Sequence, residues 1–275
     1  MPGMDNLYVL KFGGNAIRGH DDLMRLSGEI AQIMGEGARV ILVHGGGPEI
    51  SEEMERRGMT PKKVHGVRVT DADGLEVAEI VLRRLNSEVV SCLQESGVTA
   101  LGIPGYFCTL CERKAPMRVV GDDGEETEVD MGLVGEVVDM TPDCLFDLLD
   151  QGIVPVVYPI GKDADGRMLN VNADTMVAGI AAGVGCVEMI AITDVPGILR
   201  DVTDPSSKVD RLTLDEVDSL IADGTISGGM IPKVEACRRA LLSGVGTVRM
   251  VNGKDPRSIV TDVLRDVPHG TVITK

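Results

Sequence analysis

Residues 40–48 read Val-Ile-Leu-Val-His-Gly-Gly-Gly-Pro. Four aliphatic residues in a row mark a buried strand, and the glycines that follow stop it in a tight turn. The start of the chain repeats the pattern. Tyr8-Val9-Leu10 runs into Lys11-Phe12-Gly13-Gly14-Asn15, after which Leu23, Leu26, Ile30 and Ile33 recur at helical spacing. Further strands are expected at Val98 to Ile103, Ile153 to Val157, Val187 to Thr193, Thr247 to Val251 and Thr271 to Ile273. Helical patterns lie between them, along Val77, Val81, Leu85 and Val89, and over Ala173 to Val184, Leu214 to Ile221 and Val234 to Leu242, with a last one from Pro256. Thr70 and Asp73 are spaced for a capping box, and Thr141-Pro142-Asp143 for a capped helix start. Two β-like runs within residues 116–140 flank an acidic tip at 122–126, a hairpin pattern. Strands alternating with helices predict an α/β protein: a three-layer αβα sandwich on a mainly parallel open sheet. A lobe boundary is expected near residue 185, giving an N-terminal lobe (1–185) and a C-terminal lobe (186–275).

Composition narrows the partners. The 275 residues are 43% hydrophobic, enough for a substantial core, yet there is no Trp and only three Tyr and three Phe. The core must therefore be aliphatic. Acidic residues outnumber basic ones 43 to 27, a formal net charge of −16. That surplus argues against nucleic-acid binding and against docking on an anionic membrane. The longest apolar run, Met176 to Val187, has 12 residues, against about 20 needed to span a bilayer. No signal-peptide pattern opens the chain, so the six cysteines are read as reduced thiols in a cytoplasmic protein.

Three glycine-rich turns are read as following strands: Gly13-Gly14, Gly45-Gly46-Gly47 and Gly228-Gly229. In such a sheet, ligands sit beyond the carboxyl ends of the strands. Glycine lets backbone N–H groups approach an anion there, and the next helix adds its positive end. Neither Gly-x-Gly-x-x-Gly nor the Walker A pattern is present. One glycine turn alone reads as a tight connection. Three, two of them with a nearby lysine (Lys11 and Lys233), point to a phosphate site. Lysine is a compact cation able to follow a phosphoryl group between donor and acceptor; the plain alternative is two solvated side chains.

With these residues in place, the chain resembles the amino acid kinase family, and within it the acetylglutamate kinases. The resemblance rests on six stretches in order: Lys11 to Asn15, His44 to Pro48, Gly66-Val-Arg-Val-Thr-Asp71, Asn170-Val-Asn-Ala-Asp174, Thr193-Asp-Val-Pro-Gly197 and Gly228-Gly-Met-Ile-Pro-Lys-Val234. It implies transfer of the γ-phosphoryl of MgATP to the side-chain carboxylate of N-acetyl-L-glutamate, a step of arginine biosynthesis. By the same resemblance, Lys11 and Lys233 stabilise the transition state and Asp174 holds both lysines. Gly14 and Gly46 donate N–H groups to the moving phosphoryl, and Arg68 forks onto the substrate α-carboxylate. Gly46, Gly47, Asn170 and Asn172 complete the acyl-amino-acid pocket. Gly13, Asp194, Val195, Gly197, Leu199, Thr225, Ile226, Ser227 and Gly229 line the nucleotide, with Mg2+ held through its phosphates and no metal bound by the protein itself. For Asn170, Asn172 and Asp174 an Asx-rich helix cap is the alternative reading.

Tyr106-Phe107 stands where the family usually has a Lys-Asp pair, beside the expected substrate pocket. It opens a second reading, the same chemistry on a different N-acyl or carrier-tethered amino acid such as glutamate or aminoadipate. A non-catalytic amino-acid-sensing module is a third, disfavoured because Lys11, Asp174 and Lys233 are all present. Cys108 and Cys111 form a CxxC pair with no second ligand pair, and are read as free thiols. Fewer than ten residues precede the first expected strand, so a homodimer insensitive to arginine is expected.

Overall fold

The structure is a computed structural model that describes residues 6–14, 16–17, 19–120, 125–228, 230–255, 258–265 and 269–275. Asn15, Gly229, Pro256 and most of the acidic tip at 122–126 lie outside them. The chain begins β1 (Leu7–Phe12), α1 (Gly19–Gly35), β2 (Arg39–His44), α2 (Gly47–Arg56), β3 (Lys63–Val64), β4 (Val67–Arg68), α3 (Ala72–Glu95) and β5 (Ala100–Pro104). The middle holds β6 (Thr109–Arg113), β7 (Met117–Val120), β8 (Glu126–Val129), β9 (Val134–Met140), α4 (Asp143–Asp150), β10 (Val154–Tyr158), β11 (Ile160–Lys162), β12 (Met168–Val171) and α5 (Ala173–Val184). It ends with β13 (Glu188–Thr193), β14 (Arg211–Thr213), α6 (Leu214–Ala222), α7 (Met230–Leu242), β15 (Thr247–Asn252), α8 (Ser258–Arg265) and β16 (Thr271–Thr274).

Eight strands form the main sheet in the order β14-β16-β15-β13-β1-β2-β10-β5, parallel except where β16 runs against β15. Strand alternation sorts its side chains into two cores. Leu7 and Val9 of β1, with Ile41 and Val43 of β2, pack beneath α4, α5, α6 and α7. Leu10 and Phe12, with Val40 and Leu42, pack against α1, α3 and α8. The result is three layers, helices on both faces of one sheet. Both expected lobes contribute to it: β13 lies beside β1, so the sheet runs unbroken across residue 185.

A second sheet, β11-β12-β9-β6, covers the outer side of α5. That sandwiching explains why α5 is built from small residues. A Cβ added at Gly179 would sit 2.7 Å from Val137 Cγ1, and one at Gly183 would sit 2.2 Å from Met140 Sδ. The hairpin expected within 116–140 forms as β7 paired with β8. Two cap readings are corrected. Asp71, not Thr70, caps α3, accepting from the Gly74 N–H at 2.8 Å. Pro142 occupies the cap position of α4 with no side-chain hydrogen bond, so Thr141 caps nothing. Thr70 is instead buried, tied through its backbone to Met131 and Leu133.

The two kinds of helical glycine should respond oppositely to alanine. Gly28 in α1 is exposed, with nothing within 4 Å of an added Cβ; Gly28→Ala should stabilise by about 0.5–1 kcal/mol through lost unfolded-state entropy. At Gly179 the same gain is outweighed by crowding against Val137, which typically costs about 1–3 kcal/mol. Urea unfolding at neutral pH should therefore shift the midpoint upward for Gly28→Ala and downward for Gly179→Ala.

Candidate active site

The carboxyl ends of β1 and β2 carry the first two glycine turns, and these turns touch. Gly45 N–H donates to the Phe12 carbonyl at 2.9 Å, and a Cβ on Gly13 would lie 3.1 Å from both Gly45 N and Gly45 Cα. Gly14 has φ +66°, a conformation that favours glycine. Gly46 leaves no room for a side chain, since a Cβ would meet Leu85 Cδ1 at 2.8 Å and Leu82 Cδ2 at 3.0 Å. These turns form one wall of a cavity of about 400 Å³.

Its other walls come from β12, the start of α5, the β3–β4 hairpin, the end of β13 and the first turn of α7. Two helices, α2 and α5, direct their amino ends at it, which favours an anion. Asn172 caps α5, its Oδ1 accepting from Asp174 N at 2.7 Å. The cap and the charge are thus divided between two residues: Asn172 closes the helix, and Asp174 in its first turn faces the cavity. Lys11 lies on the α5 side of β1 by strand alternation, and its Nζ reaches Asp174 Oδ1 at 2.8 Å. Lys233, from α7, pairs with Asp194 at the end of β13. Asp174 therefore holds one lysine, not both as the resemblance implied. The bond from Lys233 keeps the Asp194 carboxyl below the usual carboxylate range.

Arg68 is the buried cation of the site. Its Nη2 donates to the Gly47 carbonyl and to Ser51 Oγ, each at 2.7 Å. No carboxylate pairs with it among the described residues, and burial pulls its pKa down from the ordinary arginine value. Nη1 contacts Met54 Sδ at 3.3 Å, so Nε and the second Nη1 hydrogen are the donors a desolvated guanidinium has left for an anion such as a carboxylate. Asn170 Nδ2 donates to Thr70 Oγ1 at 3.0 Å, and that hydroxyl donates to the Arg68 carbonyl at 2.9 Å. The chain of bonds fixes the hairpin strand that carries Arg68 and leaves Asn170 Oδ1 to accept from a ligand.

The cavity collects Lys11, Gly13, Gly14, Gly46, Gly47 and Arg68 from the first half of the chain, and Asn170, Asn172, Asp174, Asp194 and Lys233 from the second. Val195, Gly197, Leu199, Thr225, Ile226 and Ser227 are not in its wall. The side chain of Ile226 is buried in the core, so only its backbone is available to a ligand. Gly229 lies outside the described residues, and Gly228 comes after α6, not after a strand as expected for the third glycine turn. Tyr106 and Phe107 do not line the cavity either. They form a short turn after β5, with Tyr106 packed against the cluster of Ile50, Val81, Tyr158 and Ile160, and Phe107 stacked on its outer side. The break in the family pattern thus lies outside the cavity wall. Cys108 and Cys111 are buried free thiols, and burial pushes the Cys108 thiol up to about 12.

Sequence reasoning missed Lys63, which lines the cavity across the β3–β4 hairpin from Arg68. Burial and the neighbouring guanidinium lower its pKa. It also missed the buried pair beneath the second glycine turn, His44 and Asn86.

The amino acid kinase family profile matches residues 6–252. The chain belongs to the amino acid kinase family. Relatives include the acetylglutamate kinase of Methanosarcina acetivorans, 40% identical over 272 residues, 98% of this chain and 91% of the relative. The acetylglutamate kinase of Methanococcus maripaludis strain C6 is 37% identical over the same length, with 92% of its chain covered. Among solved structures, N-acetylglutamate synthase from Neisseria gonorrhoeae, complexed with coenzyme A and N-acetyl-glutamate, superposes with TM-score 0.81 at 23% identity, over 98% of this chain and 60% of that one. Carbamate kinase from Giardia lamblia bound to AMP-PNP gives 0.69 at 15% identity, over 98% of each chain. These two share the amino acid kinase fold.

The site has a measurable acid limit. His44 is fully buried, and burial lowers its pKa from 6.5 to about 4. As pH falls below 6.5 the unfolded chain takes up a proton that the folded ring refuses, so stability drops until about pH 4. One such group is worth about 3 kcal/mol over that window. Urea unfolding of the protein and of His44→Gln at pH 7 and pH 4.5 should show a smaller acid loss in the variant.

Proposed function

We propose that this protein is an acetylglutamate kinase, transferring the γ-phosphoryl of ATP to the side-chain carboxylate of N-acetyl-L-glutamate. The observation that carries this reading is Arg68, a buried cation without an acidic partner, in one cavity with two lysines and two helix amino ends. Relatives of matching length and name support the same assignment.

In this reading Arg68 grips the α-carboxylate, with Lys63 adding positive charge beside it, and Asn170 Oδ1 accepts from the amide N–H of the acetylated nitrogen. The side-chain carboxylate is already ionised at neutral pH, so the reaction requires no general base. It requires alignment and cations to hold charge on the group in transit. Lys11 and Lys233 supply that charge from opposite sides, and Asp174 and Asp194 orient them. Gly14 and Gly46 offer N–H groups that have no acceptor among the described residues. Both cavity aspartates are engaged by lysines, so Mg2+ fits through the phosphates of the nucleotide, where it neutralises their charge. The C-terminal lobe, residues 186–275, takes the nucleotide along Asp194 to Leu199 and Thr225 to Gly229, and the N-terminal lobe, 1–185, the acyl amino acid. A cytoplasmic homodimer completes the proposal.

Trapping the acyl phosphate with hydroxylamine tests it. N-acetylglutamate should give hydroxamate with ATP, whereas glutamate, aspartate and N-acetylaminoadipate should give little; the reverse preference would move the assignment to another substrate. Lys233→Ala should lower kcat at least a hundredfold, consistent with about 3 kcal/mol of transition-state stabilisation. Arg68→Lys should act mainly on KM for N-acetylglutamate.

A further inference from the structure

His44 and Asn86 are polar, buried and outside the cavity wall, yet they sit directly behind the glycine turn that borders it. His44 ends β2 on the side shared by Val40 and Leu42, facing α3, where Asn86 lies. Asn86 Nδ2 donates to the Val156 carbonyl at 2.9 Å, which fixes the orientation of the amide. The same nitrogen lies 3.1 Å from His44 Nε2, so Nε2 accepts. The other ring nitrogen, Nδ1, is 2.9 Å from the Gly45 carbonyl and must carry the hydrogen. One neutral tautomer satisfies the whole chain of bonds.

The consequence reaches the cavity through peptide geometry. In a trans peptide the carbonyl of one residue and the N–H of the next point in opposite directions. The described residues contain no cis peptide bond. Drawing the Gly45 carbonyl back toward His44 therefore turns the Gly46 N–H the other way. Gly46 lines the cavity, and its N–H has no acceptor among the described residues. An anchor is needed because Gly45, Gly46 and Gly47 lack the side chains that would otherwise restrict this plane. A reversed plane would present a carbonyl oxygen to an incoming anion. The anchor itself is tightly seated: a Cβ on Gly102 would come within 1.8 Å of Asn86 Oδ1.

We propose that the His44–Asn86 pair positions the catalytic turn, holding the Gly45 carbonyl away from the cavity so that the Gly46 N–H points at the transferring phosphoryl group. Naming that group a phosphoryl rests on the kinase reading above; the anchoring does not. Neither residue lines the cavity, so both are positioning residues. Asn86→Asp keeps the shape but replaces the donor with an acceptor. The ring must then carry hydrogen on Nε2, and in its neutral form it turns a lone pair toward the Gly45 carbonyl.

Long-range ¹H–¹⁵N spectra of histidine-labelled protein should show His44 as the Nδ1–H tautomer at neutral pH, and Asn86→Asp should shift it to the Nε2–H form. In the hydroxamate assay the same variant should lower kcat by about ten- to a hundredfold, less than the roughly 10²–10³ of a donor removed outright because the Gly46 N–H is misdirected rather than lost, with KM for ATP and N-acetylglutamate changed less than threefold. An Nε2–H tautomer in the unmodified protein overturns the proposal, as does a folded Asn86→Asp that shows the Nε2–H tautomer yet keeps undiminished kcat or confines its loss to KM. The tautomer measurement needs no variant and stands even if Asn86→Asp does not fold. Unmodified protein that shows the Nδ1–H tautomer but makes no hydroxamate would count against the kinase reading and leave the anchor in place.

Discussion

The site depends on the contact between two backbone turns at the ends of adjacent parallel strands. Gly13 approaches Gly45 so closely that a Cβ on Gly13 would press on the Gly45 backbone, and its φ of +156° also favours glycine. From there, strand alternation does most of the placing. Odd-numbered residues of β1 face α5, which sends Lys11 toward Asp174; even-numbered residues of β2 face α3, which sends His44 toward Asn86. A one-residue slip of either strand would exchange these faces. Shifting β1 would take its lysine from the cavity and shifting β2 would bring an imidazole into it. The aliphatic runs that bury both strands thus also set the polarity of the cavity.

Much of this was legible in the residues. Val40 to Val43 announced a buried strand, and the glycine turns announced where an anion would sit. The stripe from Val77 to Val89 announced α3, and the small residues of α5 announced a helix, although not the second sheet that requires them to be small. What escaped were features with no periodic signal. Strands of two to four residues, such as β3, β4, β11 and β12, are too short to show alternation. Lys63 looks like any solvated lysine until the two-residue hairpin folds it beside Arg68. The pairing of Lys233 with Asp194, not Asp174, depends on where α7 begins relative to β13, and linear sequence does not encode that distance. Tyr106 and Phe107 stood out as a break in the family pattern, but the turn after β5 points them away from the cavity.

Net charge was informative only about large partners. A chain at −16 repels polyanions, yet the cavity concentrates Lys11, Lys63, Arg68, Lys233 and two helix amino ends in about 400 Å³. Most of the acidic residues lie elsewhere, some of them paired along helices, as with Glu53 between Arg56 and Arg57. The two descriptions apply at different ranges. At physiological salt the field of distant surface acids is screened within about 8 Å, while cations inside the cavity act at contact distance.

The ion pairs of the molecule fall into two kinds, and the difference bears on catalysis. Arg249 and Glu188, at the amino-end side of the sheet, are almost fully buried and joined by two hydrogen bonds, with Asp262 beside them. Separating them would strand charge in the interior, which typically costs about 3–5 kcal/mol. Lys11 with Asp174 and Lys233 with Asp194 are partly exposed, their side chains between one-fifth and one-third accessible. Pairs of that kind are worth about 0–1 kcal/mol. A lysine so weakly held can turn from its aspartate to a phosphoryl oxygen at little expense, while the aspartate still limits where it can go. Placing the strong pairs away from the cavity and the weak pairs within it keeps the fold rigid where the sheet must hold, and leaves the cations free to follow a moving charge.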